Sequence, residues 1–426
     1  MISSGPVTGR RVLALALPMT LANVTTPLLG FVGAAVIGRL GDAALLGAVA
    51  LGAVIFDAIF WSFGSLRMAT AGLTAQAVGA GDRREIDRTL ARALAAGVDA
   101  QRIVFSGVGK TRAEMAAALK ANIFCFNVES EPELVVLSEV AQSLGLTAPV
   151  SIRVNPDVDA GTHAKISTGK YENKFGIPIT RAPGVYAQAA ALPGLKVAGI
   201  DMHIGSQITD LAPFDNAARL LAGLARDLLA AGHELHHIDF GGGLGIPYRD
   251  DNAPPPDPMA LAAVLRPHFA PLNLRPVFEI GRMIAGNAGI LVTRVIYVKH
   301  SEGRTFVIVD GAMNDLIRPT LYEAFHALRP VVEPAADTPR IVADVVGPVC
   351  ETGDYLALNR EMPEVAPGDL IAVMTAGAYG AVQAGTYNTR RLVPEVLVRG
   401  DAAALVRPRQ SYEELIALDR VPDWLD

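Results

Sequence analysis

Residues 195–245 read LKVAGIDMHIGSQITDLAPFDNAARLLAGLARDLLAAGHELHHIDFGGGLG. Apolar residues run through 195–203 in a short block, which predicts a strand. Residues 214–231 repeat apolar side chains at helical spacing, and 236–240 is again a short apolar run. Strand, helix, strand in this order implies parallel pairing, because only a crossover can return the chain to the same edge. Polar residues and glycines follow each strand: His203 to Gln207 after the first, Gly241 to Gly245 after the second. Functional groups at the carboxyl ends of parallel strands are the mark of a β/α barrel.

Working outward, the same rhythm extends both ways. Strands are predicted at 103–105, 123–128, 149–154 and 275–279, with helices at 113–120, 131–143, 182–191 and 258–267. That makes six strands, where a closed barrel of this type has eight. Beyond about residue 285, strand follows strand, as at 291–298, 305–309, 370–375 and the hairpin 394–407. This predicts a separate antiparallel β domain. A helix is expected at 82–96.

The chain has 426 residues, 37 Lys plus Arg, 43 Asp plus Glu and a net charge of -6. The acidity argues against a nucleic-acid binder. Cys125 and Cys350 are the only cysteines, which excludes a disulfide scaffold and suits a reducing compartment. Residues 1–66 carry five charged side chains only: Arg10, Arg11, Arg39, Asp42 and Asp57. Residues 12–38 have none and exceed the ~20 needed to cross a bilayer core. Residues 43–66 form a second apolar run interrupted by Asp57. Two spans predict a transmembrane hairpin, with basic residues at both ends placing the remainder in the cytoplasm and residues 12–66 in the inner membrane. A buried pair of soluble helices is the alternative.

Several groups invite chemistry. Gly241, Gly242 and Gly243 let backbone N–H groups converge on a phosphate, or they serve a tight turn. Ser206 and Gly281 extend that cradle. Glu279 suits a protonated ring nitrogen, and Arg282 a carboxylate, or the two form a structural salt bridge. Arg318 and Tyr322 fall one helical turn apart. Cys350 beside Glu351 is either a proton donor or an inert thiol. Gly107-Val108-Gly109-Lys110-Thr111 is not a nucleotide loop, because its first glycine position holds Val104. His233, His236 and His237 lack a spaced partner for metal and are expected at a surface helix end.

Two resemblances join these pieces. LALPMTLANVTTPLLGFVGAAVIGRLGD and GSLRMATAGLTAQAVGAGDRRE resemble the opening of a multidrug and toxin extrusion transporter, over residues 1–90. A hairpin encloses no translocation path, so transport is not expected. RIVFSGVGKT, CFNVESEPEL, RVNPDVDAGTHAKISTGKYENKFGI, GIDMHIGSQITDLAPF, DFGGGLGIPY, FVIVDGAMNDLIRPTLYEAFH, VVGPVCETGDYL and AGAYGAVQAGTYNTRRLVPEVLV resemble the diaminopimelate decarboxylases, over residues 90–426. The resemblance implies an alanine-racemase-like fold, pyridoxal phosphate as cofactor, and conversion of meso-diaminopimelate to L-lysine and CO2 in lysine biosynthesis. It implies that His203 stacks on the cofactor ring. Ser206, Gly241, Gly242, Gly243 and Gly281 bind its phosphate, Glu279 pairs with its nitrogen, and Tyr379 touches it. Arg282, Arg318 and Tyr322 hold the substrate's distal end. Cys350 is the proton donor and Glu351 recognises the distal amino group, both serving the partner site of a homodimer.

The front of the chain departs from that family. The family's first two barrel strands carry the lysine that forms a Schiff base with the cofactor, and no segment here matches them. Lys120-Ala121-Asn122 is similar only by chance. The division expected is therefore 1–90 transmembrane hairpin, 91–284 truncated barrel and 285–426 β domain. The chain is expected to be a decarboxylase by descent, impaired by the absent lysine. The alternatives are a noncatalytic membrane-anchored fusion product and a transporter fragment.

Overall fold

The computed structural model describes residues 88–161, 168, 174–249, 255–417, 419–422 and 424. The two expected membrane spans lie outside the described residues. Among those described, no helix is long and apolar enough to cross a membrane. The chain separates into two compact units, 1–99 and 100–426. In the first, α1 (Arg88–Ala95) is the described part of the helix expected at 82–96.

The second unit opens with the predicted alternation. Strands β1 (Val104–Phe105), β2 (Cys125–Val128), β3 (Ala148–Asn155), β5 (Leu195–Asp201), β6 (His237–Asp239) and β7 (Arg275–Val277) lie side by side in that order, all parallel. This is an open sheet with the six parallel strands that the count predicts. Sequence reading missed one strand: β4 (Ile177–Pro178) pairs with β3 and brings the sheet to seven. Two residues carry too little periodicity to be read as a strand.

The helices begin and end where local chemistry dictates. In α2 (Arg112–Lys120), Thr111 caps the N-terminus in a reciprocal box with Glu114. In α3 (Glu131–Leu144), Ser130 accepts from the Glu133 N–H, and Gly145 ends the helix at φ 65°. α4 spans Ala182–Ala191. α5 (Ala212–Ala230) buries Phe214, Ala217, Ala218, Leu221, Ala225 and Leu228 along one stripe. Asp257 caps α6 (Pro258–Phe269), with proline in the first turn.

The two faces of the sheet differ in kind. Phe126, Val150, Ile152, Ile200 and Ile238 are fully buried on the helix-covered side. Their neighbours Asn127, Ser151, Arg153, Asp201 and Asp239 are also buried, and successive strand residues point to opposite faces. His237 corrects the expectation of a surface helix end: it sits in β6, buried at 2 % exposure. Its ring lies against Gly199, where an added Cβ would come within 2.1 Å of the imidazole. His236 is exposed, as expected.

The second part is built from β8 (Leu291–Ser301), β9 (Arg304–Val309), β10 (Leu328–Pro330), β11 (Arg340–Val346), β12 (Tyr355–Pro363) and β13 (Leu370–Val373). Their order is β10-β13-β8-β9-β11-β12. Every pairing is antiparallel except β9 with β11, which is parallel, so the sheet is mixed rather than purely antiparallel. Its core holds Val295, Val307, Val309, Val345, Leu356, Ile371 and Val373. The hairpin of β14 (Glu395–Arg399) and β15 (Ala402–Arg407) stands as read from the sequence.

Candidate active site

Loops at the carboxyl ends of β5, β6 and β7 pack backbone against backbone. An added Cβ on Gly241 would lie 2.4 Å from the Met202 carbonyl oxygen. On Gly242 it would lie 2.3 Å from that of Glu279, and on Gly243 2.3 Å from that of Gly205. Gly241 and Gly243 also have φ of +66° and +102°. The glycine run is therefore what lets the three loops close on one another. Glu279 N–H donates to the Gly241 carbonyl at 2.8 Å, and Ile208 N–H to that of Gly243 at 2.9 Å. Gly281, by contrast, faces open space: an added Cβ meets nothing within 4 Å. It is the first residue of α7 (Gly281–Ala285).

These loops, with α8 (Arg318–Tyr322) and the segment after β13, enclose a cavity of about 450 Å³. Its walls include His203, Ser206, Arg282, Arg318, Tyr322 and Tyr379, six of the residues singled out from sequence. Its walls also include Thr168, Gln207, Tyr248, Phe325 and Gln383, which sequence reading missed. Tyr248 had one available signal, its place three residues after Gly245 in a strand-end loop.

His203 turns one face to the cavity. Its Nδ1 accepts from Gly242 N–H at 3.0 Å, so the ring proton sits on Nε2. Burial, helped by the positive charge of Arg153, lowers its pKa to about 4, so the ring is neutral near pH 7. Arg282 donates to Tyr248 Oη at 2.6 Å and Ser206 Oγ at 2.8 Å. Its Nε is buried with no partner among the described residues, and the guanidinium lies 4.7 Å from the Tyr379 ring centroid. Arg318 is 6 % exposed, and burial lowers its pKa. Neither arginine forms an ion pair among the described residues. Two guanidiniums without counter-charge make the cavity receptive to a carboxylate or phosphate.

Behind the cavity runs a chain of acidic and amide groups. Ser106 Oγ donates to Glu279 Oε1 at 2.8 Å and accepts from Asn127 Nδ2 at 3.1 Å. Asn127 Nδ2 also lies 3.4 Å from Asp239 Oδ2. Burial and the charge of Glu279 raise the Asp239 pKa to about 7, and burial with the Asp239 charge raises that of Asp201.

Cys350 and Glu351 stand apart. Both are exposed and neither lines the cavity. Glu351 instead hydrogen-bonds Tyr387, whose pKa it raises. Lys110 is structural. Its buried Nζ meets Glu133 at 2.7 Å and the carbonyls of Gly107 and Asn127 at 2.8 and 2.6 Å. Lys120 is exposed at the end of α2. Among the described residues, no lysine lines the cavity.

Residues 76–286 match the family described as pyridoxal-dependent decarboxylase, pyridoxal binding domain, which sets the class to which fold and cavity belong. Residues 18–100 match the MatE family, and the two ranges overlap at 76–100. The chain is 49% identical over 354 residues to diaminopimelate decarboxylase of Zymomonas mobilis, covering 83% of this chain and 82% of that one. It is 53% identical over 328 residues to diaminopimelate decarboxylase of Pseudomonas aeruginosa, covering 77% and 78%. The crystal structure of Helicobacter pylori diaminopimelate decarboxylase complexed with L-lysine superposes with a TM-score of 0.73 at 41% identity, covering 77% and 81%. The chain belongs to the diaminopimelate decarboxylase family.

The cofactor of this class is pyridoxal phosphate. The donor set fits its phosphate end: open space at Gly281 and the Ser206 hydroxyl. The Glu279 carboxylate, with a hydroxyl donating to it, fits the ring nitrogen. Among the described residues of the cavity wall there is no lysine for the cofactor's carbonyl carbon.

Proposed function

We propose that this chain binds pyridoxal phosphate without a covalent lysine and retains the site for decarboxylating meso-2,6-diaminopimelate to L-lysine, in impaired form. The cavity carries this reading, because it gathers His203, Ser206, Arg282, Arg318, Tyr322 and Tyr379 in a chain about 50% identical to decarboxylases of that substrate. When bound, the cofactor supplies a sink for the electron pair left on the α-carbon as CO2 departs. Glu279 holds the proton on the ring nitrogen, and the Ser106 hydroxyl orients the carboxylate that does so. His203, neutral and fixed by Gly242 N–H, would hold the ring without adding charge. Ser206, Gly241, Gly242, Gly243 and Gly281 receive the phosphate, and Tyr379 closes on the cofactor. Arg282, Arg318 and Tyr322 orient the distal carboxylate.

Cys350 Sγ returns a proton to the α-carbon, and Glu351 takes the distal ammonium, in the cavity of a second copy. Their exposure outside their own cavity favours that homodimer. Residues 1–90 are a transporter-derived hairpin joined to a truncated barrel (91–284) and a β domain (285–426). The overlap of the two family ranges favours a join at that point. The catalytic part works in the cytoplasm, with residues 12–66 as its anchor.

Replacing residues 1–90 by the corresponding segment of the Pseudomonas aeruginosa relative tests the reading. Release of CO2 from meso-diaminopimelate is expected to rise from trace to readily measurable. A hybrid that binds pyridoxal phosphate yet releases none would refute the substrate.

A further inference from the structure

We propose that His326 is a positioning residue that fixes the Arg318 guanidinium toward the cavity through one tautomer of a neutral imidazole. The proposal rests on the reading of Arg318 as the ligand of a substrate carboxylate.

His326 is fully buried at 0 % exposure. Its Nδ1 lies 2.8 Å from the carbonyl oxygen of Met374. A carbonyl only accepts, so Nδ1 carries a hydrogen. Its Nε2 lies 2.8 Å from Arg318 Nη1. A guanidinium nitrogen only donates, so Nε2 presents a lone pair. One neutral tautomer satisfies both contacts, whereas an imidazolium would set N–H against N–H. Burial, with the neighbouring charges of Arg318, Arg360 and Arg282, holds the His326 pKa near 4 and keeps that tautomer at neutral pH.

The surroundings fix the pair further. Arg360 donates to the His326 carbonyl at 2.7 Å. The Tyr248 ring meets the His326 ring edge-on at 5.3 Å, while the Arg318 guanidinium lies 4.4 Å from the Tyr248 centroid. The bland alternative is a core histidine that only satisfies Met374. It predicts lost stability with no ligand selectivity.

The test uses the full chain loaded with pyridoxal phosphate and two probes, meso-diaminopimelate and D-lysine, titrated calorimetrically. D-lysine keeps the D-configured reacting end and lacks the distal carboxylate, which the product L-lysine retains. His326→Phe keeps a ring but offers Arg318 no acceptor. It is expected to weaken diaminopimelate about 10- to 100-fold, the effect of losing a hydrogen bond to a charged group, and D-lysine less than about twofold. His326→Gln restores one acceptor and one donor and is expected to bring diaminopimelate back to within about threefold. Equal losses for both probes, or no loss, would overturn the positioning role. Arg318→Gln is the control for the underlying reading. If it leaves the diaminopimelate-to-lysine ratio unchanged, the carboxylate assignment falls and the proposal falls with it. If the ratio shifts in Arg318→Gln but not in His326→Phe, only the positioning role falls. A measurement on the unliganded chain is independent of folding in the variants. Nitrogen NMR of His326 near pH 7 is expected to show Nδ1 protonated and Nε2 bare, and the opposite tautomer or an imidazolium overturns the proposal.

Discussion

Alanine at position 281 separates the phosphate cradle from the turn that carries it. Gly281 has no left-handed φ, opens α7, and has no protein atom within 4 Å of an added Cβ. The protein therefore accommodates the methyl group, and the loss of glycine's extra chain entropy stabilises the fold by about 0.5–1 kcal/mol. If the phosphate sits where that methyl would project, one charge-assisted hydrogen bond is lost or lengthened. That costs about 1.5–3 kcal/mol, or roughly 10- to 150-fold in affinity. The assay is titration of the full chain with pyridoxal phosphate by absorbance, with pyridoxal, which lacks the phosphate, as control. Gly281→Ala is expected to weaken the first and spare the second, while the urea midpoint holds or rises. Gly242→Ala gives the contrast, because its Cβ would lie 2.3 Å from the Glu279 carbonyl oxygen. That variant is expected to lose about 1–3 kcal/mol of stability along with its affinity. Wild-type affinity for pyridoxal phosphate in Gly281→Ala would refute the cradle.

Lys110→Met leaves Glu133 buried at 6 % side-chain exposure without its cation, at a cost of about 3–5 kcal/mol. Burial already raises the Glu133 pKa and Lys110 lowers it, so the variant should be weakest at high pH in urea titrations; unchanged stability would return Lys110 to a functional role. Asp239 is raised from 3.8 to about 7, so the folded chain holds a proton that the unfolded chain has lost, and stability falls as pH rises through that window. Asp239→Asn should match wild type near pH 3, below the unfolded pKa, and exceed it by about 4 kcal/mol near pH 8, at about 1.4 kcal/mol per pKa unit over the rise from 3.8 to about 7, in denaturation midpoints taken at both values. In the repaired hybrid, mixing a Cys350→Ala chain with one lacking the cofactor lysine should recover part of the activity by shared sites; no recovery would count against the exchanged cysteine.

Much of the half-barrel was legible because parallel strands buried on both faces read as short apolar runs, and capped helices announce their ends. Thr111 with Glu114, Ser130, Gly145 and Asp257 all stand at boundaries visible in the sequence. β4, β10, β12 and β11 (an apolar stretch broken by Asp344) were missed. The first two span two and three residues, and β12 mixes Asn359, Arg360 and Glu361 into its run. The parallel pairing of β9 with β11 leaves no local trace, since it depends on where a long connection returns. Glycine loops and charged residues after strands marked the site, whereas Phe325 and His326 joined it through tertiary packing alone.

The register of the described sheet bears on the proposed loss of two barrel strands, in stability as well as chemistry. Asn127 pairs with Ser151, Arg153 with Asp201, and Asp201 with Asp239, so these residues share one face of the sheet. That face is polar, where barrels of this type usually pack branched apolar side chains. Atoms of Asn127, Ser151, Arg153 and Asp201 on it are buried without hydrogen-bond partners among the described residues. Each such group costs about 1–3 kcal/mol, and an apolar helix laid over the opening cannot satisfy any of them. A strand pair that brings polar side chains into the lumen can. The hybrid carrying a relative's first segment should therefore gain several kcal/mol in urea unfolding together with its activity. A hybrid that decarboxylates but unfolds at the same urea concentration would show that these polar atoms find partners elsewhere, and that the deficit of this chain is catalytic alone.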